Sequence, residues 1–169
     1  MKLKIYTDGS YSDSDPDWTY GGMVILSEDD KIIFAQRYKT ANPEFISGRN
    51  VGGELIAAMF GVSTAAMTLQ QLTGIEDSQL LEGVIEIYYD YKGVEAFIQG
   101  NPKWKANKVS SCIYVKQMSD LHDNFPRVKL VFRKVRAHSG DIYNDMADRI
   151  AAGEIPLQCQ GKILQEVEF

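Results

Sequence analysis

The stretch Gly53–Asp90, GELIAAMFGVSTAAMTLQQLTGIEDSQLLEGVIEIYYD, decides the fold. In its first half, apolar residues recur every three or four positions, at Leu55, Ile56, Met59, Phe60 and Val62, with Ala57, Ala58, Ala65 and Ala66 filling in. That period predicts a helix, and Gly74 is a suitable stop. Val84–Tyr89, VIEIYY, is a short apolar run suited to a buried strand, and it ends at Asp90. A helix that leads into such a strand is a crossover connection, so this strand is expected to lie parallel to a neighbour.

Toward the N-terminus, Leu3, Ile5 and Thr7 alternate with Lys2, Lys4 and Tyr6, which predicts a strand that stops at Asp8-Gly9-Ser10. Asp13–Asp17, with Pro16, reads as a loop. Tyr20–Leu26 and Lys31–Tyr38 are two β-rich runs joined by Ser27-Glu28-Asp29-Asp30, the pattern of a hairpin. Toward the C-terminus, helical patterns cover Lys92–Ile98, Ser110–Asp123 and Asp141–Ala152, and Val128–Val135 alternates as a last strand. The residues after Pro156 carry no readable pattern.

The order predicts an α/β fold: a five-stranded mixed sheet, three antiparallel strands then two crossover-connected parallel strands, flanked by helices. The 169 residues fit one domain, with its core ending near Ala152 and a tail over residues 153–169. In open α/β sheets ligands collect at the carboxyl ends of strands, where Asp8 and Asp90 fall.

A chain that is 44% hydrophobic and 24% charged is ordinary for a globular protein, which argues against disordered and collagen-like classes. The longest mostly apolar run, Leu55–Met67, is broken by Gly61, Ser63 and Thr64, so no membrane span is expected. Cys112 and Cys159 have no metal-binding spacing and read as free thiols of a reducing compartment. With no apolar run at the N-terminus, a cytoplasmic protein is expected, and a monomer is the default. The net charge of −5 speaks, taken as a sum, against a nucleic-acid partner.

Four acids stand out together: Asp8 ending the first strand, Glu54 opening the first helix, Asp90 ending the fourth strand, and Asp148 in the last helix. Each alone has a structural reading, as a turn residue, a helix-dipole partner or a cap. Gathered at one sheet edge they would repel unless neutralised, and hard oxygen ligands select Mg²⁺ or Mn²⁺. In the last helix, Met146, Ala147, Ile150 and Ala151 define an apolar face; Asp148 lies about 130° from its centre and Asp145 about 170°. Asp148 is therefore the border residue suited to ligation, and Asp145 the solvated one.

The blocks YTDGSY (6–11), RNVGGELIAA (49–58), IYYDYKGVEAF (87–97) and VRAHSGDIYNDMADRIA (135–151) resemble type 1 ribonuclease H. The resemblance implies that Asp8, Glu54, Asp90 and Asp148 are the metal-binding acids and His138 a mobile catalytic histidine. It implies the RNA strand of an RNA/DNA hybrid as substrate, cut with two metal ions to leave 3′-hydroxyl and 5′-phosphate ends. His138 falls in a Ser139-Gly140 loop, and histidine is the side chain suited to moving protons near neutral pH. His122, on an amphipathic stretch, reads as structural. Hybrid selection requires reading the RNA 2′-OH in a wide minor groove with short polar groups near the metals, for which Ser10, Asn50 and Gly53 are the candidates.

The charge sum conceals a division. Lys92–Arg136 carries ten Lys/Arg against three acids, a net of +7, and the remainder of the chain is −12. Trp104 lies among Lys103, Lys105 and Lys108, where an indole can pack on a sugar while ammoniums meet phosphates. The alternatives are a DNA-directed nuclease or integrase of the same fold, or a non-catalytic hybrid-binding module.

Overall fold

The computed structural model describes residues 1–137, 139–162 and 166–169. Its strands are β1 (Lys2–Ser10), β2 (Thr19–Ser27), β3 (Ile32–Thr40), β4 (Gly83–Tyr89), β5 (Val128–Lys134) and β6 (Val167–Glu168). The helices are α1 (Pro43–Ile46), α2 (Asn50–Thr73), α3 (Gly93–Ala96), α4 (Val109–Asn124) and α5 (Ile142–Ala151). The strands form one sheet in the order β5-β4-β1-β2-β3-β6. β1, β2 and β3 pair antiparallel, whereas β4 lies parallel to both β1 and β5. The crossover through α2 thus places β4 beside β1, in the middle of the sheet.

Among the described residues the sheet has six strands, where the sequence predicts five. The extra one is the two-residue β6, which pairs parallel with β3 through Tyr38↔Val167 and Lys39↔Glu168. So short a strand, exposed along its length, has no periodicity to read. It is held instead by its end: Thr40 Oγ1 donates to the Phe169 carbonyl at 2.8 Å, and the Phe169 ring meets Phe45 and Phe60 edge-on. Earlier in the tail, a 3-10 turn at Leu157–Cys159 buries Cys159 completely.

A second difference bears on the site. β1 does not stop at Asp8-Gly9-Ser10 but runs through it, with Asp8 opposite Gly22, Gly9 opposite Gly21 and Ser10 opposite Tyr20. Asp8-Gly9 is strand, not turn.

The sheet buries both faces. One carries Leu3, Ile5, Met23, Ile85 and Ile87 against Leu55, Ile56, Met59, Val62 and Leu69 of α2, with Tyr114 and Met118 of α4 alongside. The other sets Tyr6, Val24, Leu26 and Ala35 against Met146, Ala147 and Ile150 of α5, with Cys159 of the tail. Fully burying a Leu, Ile, Val or Met side chain contributes about 1.5–3 kcal/mol. By length and composition α2 is apolar enough to cross a membrane, but its apolar face is the main wall of this core. It closes on Gly74, at φ 70°, whose N–H donates to the Gln70 carbonyl.

Candidate active site

Glycine at two facing positions brings the first two acids together. A Cβ on Gly9 would collide with the Asn50 carbonyl and the Glu54 nitrogen, and one on Gly53 with the Tyr20 carbonyl, while lying 3.0 Å from Gly9 Cα. Backbone therefore packs on backbone where α2 crosses β1 and β2, at a distance that any larger residue forbids. The entry to α2 is fixed as well. Arg49 precedes the helix at φ 54°, in the left-handed region, and its carbonyl accepts from the buried Thr19 Oγ1 at 2.8 Å. Its guanidinium reaches Asp13 at 2.6 Å.

As a result Asp8, Glu54 and Asp90 converge. One carboxylate oxygen from each lies within 4.8 Å of the other two. Asp8 is 6% exposed and Glu54 5%, and Asp90 is half-buried at the end of β4. Asp8 Oδ1 accepts from the Gly9 N–H at 2.8 Å, while Glu54 Oε2 is buried with no hydrogen-bond partner. Asp148 lines a cavity of about 410 Å³ together with Asp8, Asp90, Ser139 and Gly140. The helical-wheel expectation is matched: Asp145 is exposed and Asp148 half-buried.

The electrostatics follow from this crowding. The Asp8 carboxyl is pushed up to about 6, chiefly by burial, with the charges of Asp90 and Asp148 adding and hydrogen bonds from Glu54 and the Gly9 N–H opposing. Glu54 is raised well above the ordinary carboxylate range, first by burial and then by its contact with Asp8. Buried carboxylates that disfavour their own ionised forms, with an orphaned oxygen among them, fit a divalent cation held by hard oxygen donors.

The structure adds a residue that the sequence reading passed over. Asn144 of α5 is 6% exposed, lines the acid cavity, and leaves its Oδ1 without a hydrogen bond. It lies about 90° from the centre of the apolar face, nearer the core than Asp148, so the same helical wheel carried the signal. Asp141 caps α5, its carboxylate accepting from the N–H groups of Tyr143 at 3.0 Å and Asn144 at 3.1 Å.

Asn50 is exposed at the start of α2 and lines a groove of about 520 Å³ with Glu54, Asp90, Lys134 and Arg136. Ser10 is half-buried at the end of β1. Gly53 is buried against β1 and β2, where its lack of a side chain lets the helix approach. Lys103, Lys105 and Lys108 are exposed around a hollow of about 410 Å³. Trp104 is half-buried, edge-on to Tyr91 and Phe97 with ring centroids at 6.1 and 5.6 Å, and so anchors this segment. His138 lies outside the described residues.

The three concavities are joined. Asp90 lines both the acid cavity and the Asn50 groove, and Val51 and Tyr91 line both that groove and the lysine hollow. An acidic pocket and a basic flank thus share one face.

The RNase H family model matches residues 1–155. The chain belongs to the RNase H family. A ribonuclease H of Trichodesmium erythraeum is 29% identical over 157 residues, 89% of this chain and 86% of that protein. One of Acetivibrio thermocellus is 25% identical over 161 residues, 91% and 95% of the two chains. Among solved structures, the RNase H1 of the archaeon Halobacterium salinarum matches with a TM-score of 0.63 at 18% identity, covering 91% of this chain and all of that one. LC11-RNase H1, solved in complex with an RNA/DNA hybrid, matches with a TM-score of 0.61 at 18% identity over 87% and 94% of the two chains. These likenesses agree with the fold read above, and the chain is an RNase H enzyme.

Proposed function

We propose that this chain hydrolyses the RNA strand of RNA/DNA hybrids at the Asp8–Glu54–Asp90 cluster, with two bound divalent cations, Mg²⁺ or Mn²⁺, leaving 3′-hydroxyl and 5′-phosphate ends. The observation that carries this reading is the convergence of three carboxylates, two of them buried and one with an orphaned oxygen. Two such ions supply activation of water and stabilisation of the leaving oxygen. Asp8, Glu54, Asp90 and Asp148 would hold the ions. Asn144 Oδ1 offers a neutral acceptor in the same cavity. His138 is assigned the proton transfer that prepares water or releases product.

Substrate choice rests on the flanks. Ser10 and Asn50 are assigned to the RNA 2′-OH groups. The basic flank from Lys134 and Arg136 to Lys103, Lys105 and Lys108 is assigned to the phosphates of the DNA strand. The solved complex of LC11-RNase H1 with a hybrid supports this substrate class.

The test is cleavage of an end-labelled hybrid with Mg²⁺ or Mn²⁺, beside single-stranded RNA, duplex RNA and duplex DNA. The hybrid alone is expected to be cut, with the stated ends. Equal cutting of duplex DNA would overturn the substrate assignment, and hybrid binding without cutting would favour a non-catalytic module.

A further inference from the structure

The C-terminal end of α5, which carries Asp148, is held by a residue of β3. Three of the last four carbonyls of that helix are satisfied by the chain that follows: Asp148, Arg149 and Ile150 accept from the N–H groups of Ala152, Glu154 and Gly153. The fourth, of Ala151, accepts from Arg37 Nε at 3.2 Å. These carbonyls are the negative end of the helix dipole, so a guanidinium there is favoured both as a donor and as a charge.

Arg37 stands in one row with the first acid: Asp8 pairs with Gly22, and Gly22 with Arg37. The helix lies over the middle of that row. A Cβ on Gly22 would come within 2.2 Å of the Ala147 carbonyl and 2.5 Å of the Ala151 nitrogen. The guanidinium is fixed in its turn. It lies over the Tyr20 ring, with Cζ 3.8 Å from the centroid. Its Nη1 meets Glu166 Oε2 at 2.7 Å, and the other oxygen of that carboxylate is 3.1 Å from Lys39 Nζ. Gly153, at φ 93°, leaves it room, since a Cβ there would lie 3.3 Å from Nη2.

We propose that Arg37 is a positioning residue for Asp148, and that Glu166 of the C-terminal tail holds Arg37 in that role. The chain of contacts is short. Arg37 fixes the Ala151 carbonyl, and the next N–H, of Ala152, fixes the carbonyl of Asp148 itself. Ala147 and Ile150 hold α5 to the sheet by apolar contact, which is non-directional. Arg37 adds a directional bond at the end where Asp148 lies. A ligand on the last turn of a helix inherits any fraying of that turn, and partners that orient ligands are worth about 10–100-fold in metal affinity. This role rests on Asp148 being a metal ligand, as proposed above.

Mn²⁺ binding to the hybrid-free protein, read from the electron paramagnetic resonance of the free ion, tests this beside the Mg²⁺ dependence of hybrid cleavage. Arg37→Gln is expected to weaken Mn²⁺ binding about three- to tenfold and to raise the Mg²⁺ concentration for half-maximal cleavage by a similar factor. The rate at saturating Mg²⁺ is expected to stay within about twofold of wild type. Glu166→Gln, at the surface, is expected to shift both metal readouts the same way by less. The double variant is expected to match Arg37→Gln, because Glu166 acts through Arg37. Met118→Ala, in the α4 part of the core, controls for stability alone: it is expected to lower the urea midpoint and leave Mn²⁺ binding unchanged.

The proposal is overturned if Arg37→Gln leaves both metal readouts at wild type, if the two substitutions add, or if Met118→Ala weakens Mn²⁺ binding as much. Asp148→Asn separates the two readings. Weaker Mn²⁺ binding there, beside wild-type binding in Arg37→Gln, would overturn the positioning role alone. Unchanged binding in Asp148→Asn would overturn Asp148 as a ligand, and this role with it.

Discussion

The acids and the lysines share a face but are built by opposite means. Asp8, Glu54 and Asp90 sit on β1, α2 and the end of β4, positioned where helix backbone lies on strand backbone at Gly9 and Gly53. Lys103, Lys105 and Lys108 come from a segment of turns between α3 and α4, pinned by Trp104 and otherwise exposed. Chemistry on a phosphodiester tolerates displacements of only a fraction of an ångström, so its groups ride on rigid elements. Attraction of a polyanion acts over about 8–10 Å, so its groups tolerate an irregular segment. Catalysis is expected to fail through the first region and affinity through the second.

The sharpest way to break that division is Asp8→Asn. The amide keeps an acceptor for the Gly9 N–H but removes the charge that a shared cation needs. Cleavage is expected to fall by about 10³-fold or more, with hybrid affinity within a factor of about three of wild type. Single-turnover cleavage beside a fluorescence binding titration measures both. Retained cleavage would dissolve the distinction between the two regions.

Gly9→Ala attacks the same region through its packing. The added methyl meets the Asn50 carbonyl and the Glu54 nitrogen, both backbone atoms with no freedom to rotate away. Overpacking of this kind costs about 1–3 kcal/mol, to be read from the midpoint of urea unfolding. Cleavage is expected to fall as well, because α2 can relieve the collision only by carrying Glu54 away from Asp8. A comparable methyl in the lysine segment, at Gly100, meets nothing within 4 Å, though its φ of 66° favours glycine.

Most of this arrangement was legible in the sequence, for a physical reason. α2 and β4 bury continuous faces, and burial on one face imposes a period that a reader can count. Asp145 and Asp148 separated on a helical wheel because α5 has one buried side. What escaped reading lacked such a face. β6 is two residues long and fixed by Phe169 and Thr40, contacts with distant parts of the chain. The passage of β1 through Asp8-Gly9 escaped because Asp-Gly is locally a turn signal, overridden here by pairing with Gly21 and Gly22. Gly53, expected near the ligand, is buried, since spacing gives proximity to the site but not the direction a residue faces.

The raised carboxyls offer a gentler probe of the acid region. Asp8 has an ordinary value of 3.8 and is pushed up to about 6 in the fold. A carboxyl raised by folding contributes stability that is complete below its unfolded value and lost as pH rises through the folded one. Without divalent metal, wild type is therefore expected to lose stability between about pH 4 and pH 7 relative to Asp8→Asn, by about 3 kcal/mol. Adding Mg²⁺ at about pH 7 is expected to close the gap by stabilising wild type alone. Thermal melts of both proteins across this range, with and without metal, decide the matter; a constant difference would mean that Asp8 is not under electrostatic strain.

The lysine region is tested by replacing Lys103, Lys105 and Lys108 with Ala together. All three are exposed, and no ion pair joins any of them to an acid among the described residues, so unfolding stability is expected to stay within about 0.5 kcal/mol of wild type. Hybrid affinity is expected to fall, and the dependence of log K on log salt to flatten by about one unit per lost phosphate contact. At saturating hybrid the cleavage rate is expected to match wild type, because the acids are untouched. The combination matters more than any single value: a flatter slope with an unchanged saturated rate is the signature of charges that recruit substrate without aligning it. A fall in the saturated rate would show that this irregular segment also helps set the register of the scissile phosphate over Asp8 and Glu54, and would move Trp104, its anchor, into the positioning apparatus.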